Sequence, residues 1–411
     1  MTPFRHHRRR GLTTMMAVFT LTILFMAAVF SYSVFSTRDS FIQLRNASHA
    51  ASLAGAGSLA HDDLLTNDTA RVLARIDSAR SSATQVAEVN QLKGLFVSMD
   101  PQNPTNDPSG NMVFGTLDKE LGGTFTPLFP LPAAADPFPY DSARLNAVRL
   151  EVTHPTRTGL KVKMYAHLDH NIIGFKPTNA VNAPVIPIAL FSDTSGGLAM
   201  NTYEAALAVA TDNANFNYTT NVFNAAPGPD GIPEVKFEYI LPAGVPSADP
   251  AIISIRNLNI GATVWADAQA QIASGITVAN VAGAPFNGQF NFADPGPVLA
   301  VPEFTPAPTL AEFAASFAPV SAPNMAIPRV FPLYSGTDGM GTVYISGFVA
   351  ARVVSVDTTT DPTRVTVTIQ PTLISSPLAV APNTCPVPAG APPFNRTICK
   401  LRLAATVTEA P

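Results

Sequence analysis

The residues best equipped for chemistry fall in a few short stretches. AHLDHN places two imidazoles and a carboxylate, His167, Asp169 and His170, within four positions, and these are metal-ligating and acid–base side chains. On a strand, however, His167 and Asp169 share one face and His170 takes the other, which breaks up a three-ligand set. A hydrogen-bonded surface or rim cluster is therefore the prediction. PGPDGIPE offers Asp230 and Glu234 for calcium, but an EF-type loop needs several acids at alternate positions and only one precedes Gly231. A simple turn is the expectation. Asp193 opens Asp-Thr-Ser-Gly once only, whereas a proton-sharing carboxylate pair needs two copies. Neither Ser195 nor Ser335 sits in a G-x-S-x-G elbow. The sequence thus predicts no catalytic, cofactor-binding or metal residue. A metal-dependent hydrolase using His167, Asp169, His170 or Asp193 is the lesser alternative, and an exported carbohydrate-type binding module is another.

The two cysteines, Cys385 and Cys399, lie fourteen positions apart in NTCPVPAGAPPFNRTICK. In an exported domain they are candidates for a disulfide, whose loop closure would contribute on the order of 3 kcal/mol. Two free buried thiols are the alternative. No CxxC pair or adjacent histidine suggests metal or redox chemistry.

The elements that would position these groups are short β-like runs, several of which alternate in polarity with period two: ARLNAVRLEV, LKVKMYAHL, VIPIALF, EVKFEYIL, IISIRNLNIGATVWA, VYISGFVAARVVSV, RVTVTIQP and CKLRLAATV. PGPDGIPE, TSGG and GTDGMG supply turns between them. Tracts 284–308 and 375–394, rich in proline and glycine, read as long surface loops. Trp265, Phe237, Tyr239 and Tyr344 are expected in the core or on sheet faces. Composition agrees with a turn-rich β domain outside the cytoplasm. Of 411 residues, 46% are hydrophobic and 13% charged, and 38 prolines and 25 glycines punctuate the chain. The net charge of −4, with no basic tract beyond the N-terminus, argues against a nucleic-acid partner.

From Leu12 to Ser36 no residue is charged, and as a helix this run covers about 36 Å, enough to cross a bilayer core. It is longer than the apolar region of a cleavable signal peptide, although MAAVFSYS holds small residues that could be cut. Arg5, Arg8, Arg9 and Arg10 precede the run, and the positive-inside rule puts that end in the cytoplasm. Beyond it, Phe41, Leu44, Ala47, Ala51 and Ala54 recur at helical spacing. After a break at Asn67 the spacing resumes through Val72, Leu73, Ile76, Ala79, Ala83, Val86 and Val89, with Gly94 as a stop.

The expected fold class is α+β: a transmembrane helix continuing into juxtamembrane helices, followed by a mainly antiparallel, sandwich-like, β-rich extracytoplasmic domain. The divisions are a basic tail (1–11), the span (12–36), juxtamembrane helices (37–96) and the β-rich part (97–411). A single-pass signal-anchor with a cytoplasmic N-terminus follows, with the lipid bilayer as one partner.

The basic cluster, the span and then RNASHAASLAGAGSLA resemble the TadE/TadG-like proteins of the bacterial tight-adherence (Flp) pilus machinery. In order, QVAEVNQLKG, NMVFGTLDKELGGTFTP and LNAVRLEVTH are similar to that family's helix ending at glycine, V-x-G-x-x-D strand and N-A-V-R-V strand. APVIPIAL and VYISGFVAARVVSV resemble its later strands. The likeness covers residues 5 to about 192 continuously, then patches. It implies a component or accessory of pilus assembly or adhesion that is anchored in the bacterial inner membrane and faces the periplasm, with other pilus-assembly or envelope proteins as partners. Prepilin processing after Gly11 would place a glutamate where Met16 stands, so cleavage is not expected. The D-x-S-x-S metal motif of longer relatives has Asp193 and Ser195 here, but Gly197 replaces its second serine.

Overall fold

The computed structural model of the chain describes residues 7–90, 103–118, 122–139, 141–155, 157–192, 201–224, 228–240, 249, 251–292, 298–299, 307–321, 326–337, 342–381, 395–405 and 407–409. It opens with α1 (His7–Leu59), a helix of 53 residues, about 80 Å long at the standard rise. Residues 14–35 are exposed throughout. Burial begins with a half-buried Ser36 and continues through Ser40, Leu44, Ala47, Ser48, Ala51 and Ser52. This spacing of small and apolar residues makes one packing face.

A 3-10 turn (Asp62–Leu65) and Asn67, at φ 54°, reverse the chain. Asp68 then caps α2 (Thr69–Val89), its side chain accepting from the backbone of Ala70 and Arg71 and satisfying two orphan donors. The helices approach closely at Gly55, where an added Cβ would lie 3.3 Å from the Ala83 Cβ. The buried stripe of α2 differs from the expectation at its edges. Leu73 and Val86 are half-buried and Val89 is 81% exposed, while Arg80 is buried with its guanidinium 5.4 Å from the Phe114 ring. Gly94 lies outside the described residues.

The helical pair packs on the first sheet. Its leading strands are β1 (Met112–Leu117), β2 (Thr124–Pro127), β3 (Ala147–His154) and β4 (Arg157–Asp169). The chain then leaves this sheet to build a second body from β5 (Gly174–Phe175), β6 (Ile188–Phe191), α3 (Tyr203–Ala208), β7 (Phe216–Asn217), β8 (Val222–Phe223) and β9 (Val235–Ile240). It continues with β10 (Ile252–Ile253), β11 (Ile255–Asn257), α4 (Trp265–Ser274), β12 (Phe290–Asn291), β13 (Val298–Leu299) and α5 (Leu310–Phe317). The long hairpin of β14 (Arg329–Thr337) and β15 (Thr342–Asp357) follows, with β16 (Arg364–Pro371). Finally β17 (Ile374–Ser375), β18 (Ala379–Val380), β19 (Ile398–Ala404) and β20 (Thr408–Glu409) carry the chain back.

The first sheet runs β17-β19-β4-β3-β1-β2-β20. Met112, Phe114, Val148, Leu150, Val162, Ala166 and Leu168 form one core with Leu44, Ala51, Ile76 and Ala83 of the helices. The second sheet runs β10-β9-β16-β15-β14-β6-β11, with β13 also on β15. Both of its faces are covered, which explains the nearly continuous apolar run of β15. Val349, Ala351 and Val353 join a cluster with Trp265, Phe313 and Phe317 of α4 and α5, whereas Phe348 and Ala350 join Phe175 and Phe290 of the small sheet β12-β5-β18.

The chain is therefore α+β, with a long apolar N-terminal helix and a β-rich remainder. Its sheets are mixed: β6–β14, β9–β10, β2–β20 and β17–β19 are parallel and the other ladders antiparallel. Two stretches depart from the sequence reading. The run ending in ATVWA is strand only through Asn257. Gly261 turns at φ 67°, and Trp265 begins α4, burying Trp265, Ala268 and Ile272 at helical spacing. The tract 284–308 is more than a surface loop, because Phe290 is buried against Phe348 at a ring distance of 5.8 Å.

Candidate functional site

The exposed half of α1 is the most conspicuous surface of the molecule. Met15, Phe19, Phe25, Phe30 and Phe35 are each at least 68% exposed, and they point to every side of the helix. Its threonines are satisfied internally, with Thr20 and Thr22 donating to the Met16 and Val18 carbonyls at 2.8 and 2.9 Å. With a window of mean hydropathy 2.1, this helix is long and apolar enough to cross a membrane. Arg8, Arg9 and Arg10 lie on its first turns and Arg5 falls outside the described residues. Met16, where processing would need glutamate, is 68% exposed.

At the other end of α1, a polar joint fastens the helices to the second body. Asp62 is 2% exposed. It accepts from Tyr218 Oη at 2.6 Å, Thr372 Oγ1 at 2.8 Å, the Leu373 backbone at 2.6 Å and the Arg352 guanidinium. Arg352 in turn stacks over the Phe216 ring at 3.9 Å. Four donors on one carboxylate meet the condition for burying charge, namely a partner and a full hydrogen-bond complement. Nearby, Arg75 Nη2 and His61 Nδ1 hold Asp63 at 2.9 and 2.8 Å.

The AHLDHN residues are placed differently from the sequence expectation. His167, Asp169 and His170 are buried at 2%, 7% and 2% exposure, so this is an interior cluster and not a surface rim. His167 on β4 pairs with Arg402 of β19 and Ala147 of β3. Burial, with Arg402 and His170 close by, pushes the His167 imidazole down to about 4. Burial likewise lowers His170 to about 4, although its Nδ1 lies 2.7 Å from the Asn395 carbonyl oxygen. Asp169 accepts from the Asn171 backbone at 3.0 Å and meets Arg402 Nε at 3.7 Å. His170 lies one residue past the end of β4, and all three side chains are covered.

PGPDGIPE forms a clasp between loops. The Asp212 carboxylate accepts from the backbone of Asp230 and Gly231 at 3.0 and 2.6 Å. Glu234 accepts from Asn213 and Ala214 at 2.8 and 3.0 Å. Gln370 Nε2 of β16 lies 3.2 Å from both Asp230 oxygens and from Glu234 Oε1. Burial raises the Asp230 carboxyl. Among the described residues, no three His, Cys, Asp or Glu side chains are grouped to hold a metal ion.

Of the remaining candidates, Cys399 is a fully buried thiol whose Sγ donates to the Ile374 carbonyl at 3.4 Å, and burial pushes it up to about 12. Its expected partner Cys385, like Asp193, Ser195 and Gly197, lies outside the described residues. Ser335 is exposed on β14. Phe237, Tyr239 and Trp265 are core residues, with Tyr239 stacked on Phe313 at 4.2 Å, whereas Tyr344 is 49% exposed. Sequence reasoning missed the Asp62 joint, since a lone aspartate and a strand arginine 290 positions apart leave no local signal. It also missed the C-terminal clasp, in which Glu409 accepts from Tyr165 Oη at 2.6 Å and pairs with Arg149 at 3.0 Å and Lys163 at 3.2 Å.

No described protein family, curated protein or solved structure matches the chain.

Proposed function

We propose that this chain is a non-catalytic, single-pass envelope protein, a TadG-like component or accessory of Flp/Tad pilus assembly or surface adhesion. The arginine-rich end lies in the cytoplasm, residues 12–36 cross the bacterial inner membrane, and the β-rich body, of sandwich-like type, faces outward. The observation that carries this reading is one uninterrupted helix with two halves of opposite character. Residues 14–35 are exposed and apolar, and from Ser40 onward one face of the helix is packed against α2 and the first sheet. A helix built this way couples a hydrocarbon-facing segment rigidly to a folded body. The order of phrases shared with the tight-adherence proteins supports the pilus part.

Fractionation of cells expressing the full chain tests the anchor, with the chain expected in the carbonate-resistant membrane pellet. Protease added to spheroplasts should digest the body and spare the N-terminal tail. Recovery of the intact chain from the soluble fraction would sink the anchor. Failure to co-purify with any pilus-assembly protein, in a cell that makes such a pilus, would sink the pilus assignment alone.

A further inference from the structure

Where α1 enters the body there is a notch of about 450 Å³, lined by Ser33, Val34, Thr37, Arg38 and Phe41 of the helix and by Leu160 of β4. The uncharged run ends at Ser36. At 1.5 Å per residue, Val34 then lies about 3 Å inside that end and Phe41 about 8 Å beyond it. The polar headgroup layer is on the order of 5–7 Å deep on each side of the hydrocarbon. The notch therefore straddles the boundary between acyl chains and headgroups.

Its lining is divided the same way. Val34, Phe41 and Leu160 are apolar; Phe41 is 41% exposed, while Leu160 is fixed against the core of the helical pair and first sheet. Arg38 is exposed, and among the described residues no acid pairs with it, since neighbouring Asp39 accepts from Gln43 at 3.1 Å and Lys161 takes Glu151 at 3.0 Å. Thr37 Oγ1 donates to the Ser33 carbonyl at 2.8 Å. An exposed guanidinium without an acidic partner suits a phosphate.

We infer that this notch is a binding site for an anionic phospholipid of the anchoring bilayer, its upper acyl chain against Val34 and Leu160, its phosphate on Arg38 and its headgroup beneath Phe41. The inference rests on the membrane-anchor reading. It goes further in assigning the seam between helix and body a lipid ligand.

The test uses the full chain, extracted in mild detergent from membranes of phosphatidylcholine with one part in ten phosphatidylglycerol. Lipid retained by the protein is counted by native mass spectrometry. The wild-type chain should hold phosphatidylglycerol in preference to phosphatidylcholine. Arg38→Gln should lower that preference about fivefold, the effect of one basic residue near an anionic surface, and Arg38→Lys should keep most of it. A photoreactive benzoylphenylalanine at position 160 should give a lipid adduct. Unchanged retention in Arg38→Gln, or a cross-link from position 160 to a second copy of the chain in place of lipid, overturns the proposal. Carbonate extraction of the same samples separates the two readings. A chain that stays in the pellet without lipid preference loses only the notch, and a chain released to the supernatant loses the anchor as well.

Discussion

The carboxylate of Asp62, at the corner between α1 and α2, is paired with the guanidinium of Arg352 on β15, 290 residues later, and both side chains are under 10% exposed. The pair joins the helix that carries the apolar segment to the longest strand of the second sheet. Tyr218, Thr372 and Leu373 complete the carboxylate's shell. The two bodies are thereby held by a contact with strict geometry in addition to apolar packing.

Asp62→Asn should destabilise the folded chain by about 3 kcal/mol, because it leaves the Arg352 charge buried without its counter-ion. Thermal unfolding of the full chain in detergent would register this as a lowered midpoint. Asp62→Asn combined with Arg352→Met should recover part of the loss, since no uncompensated charge then remains. A single variant that melts with the wild type would mean that the pair has little energetic role.

Acid should weaken the protein through His167 and His170. Both folded values lie near 4, below the ordinary 6.5, so between those limits the unfolded chain binds more protons than the folded one. The stability due to the neutral imidazoles is fully present above about pH 6.5 and is lost as the pH falls to about 4, on the order of 3 kcal/mol for each histidine. Melting temperatures measured at pH 7.5, 5.5 and 4.5 should fall in that order. A His167→Gln chain should show a shallower fall, and a flat profile in the wild type would contradict the burial.

Gly275 ends α4 at φ 80°, and an added Cβ would lie 2.0 Å from the Ala183 carbonyl oxygen. Gly275→Ala faces both a left-handed backbone and a backbone clash, so the loss should exceed about 1 kcal/mol. Gly159→Ala is the contrast, because no atom lies within 4 Å of a Cβ there. Urea titration of the two variants should place the midpoint of Gly275→Ala well below that of Gly159→Ala.

The Cys399 thiol, buried and raised to about 12, should resist alkylation by iodoacetamide in the native chain at pH 8, since the thiolate is the reactive form. Urea with reductant should expose it to full labelling. Urea without reductant decides the pairing with Cys385, because a bridged sulfur stays unlabelled and a free thiol reacts. Rapid native labelling would show that the strand β19 is not closed over Cys399.

Much of the architecture is local enough to be read along the chain. The uncharged run Leu12–Ser36 is a property of consecutive residues, and it coincides with the exposed part of α1. The strands β3, β4, β9, β16 and β19 fall in runs marked by alternation, because pleating imposes period two wherever one face is buried, whereas β15 stands out by its apolar length. The α5 helix also carried a legible signal, the Thr309–Glu312 capping box, which the surrounding proline-rich composition obscured. In α4, the spacing of Trp265, Ala268 and Ile272 was masked by the β-favouring residues just before it.

What sequence alone determined, then, is the apolar helix, the helical pair behind it and the period-two strands, since hydrophobicity, capping and alternation act over a few residues. Tertiary structure alone decided which faces are covered and which distant polar groups meet. His167 shows the first: alternation puts it on the face of β4 away from Ala166 and Leu168, which pack on the helices, but says nothing of what covers that face, and there the side chain is 2% exposed. Asp62 and Arg352 show the second, because a buried carboxylate draws its four donors from wherever the folded chain brings them. The notch at Arg38 belongs with these, since it exists only where β4 brings Leu160 beside residues 33–41, midway along a helix whose apolar run was already legible.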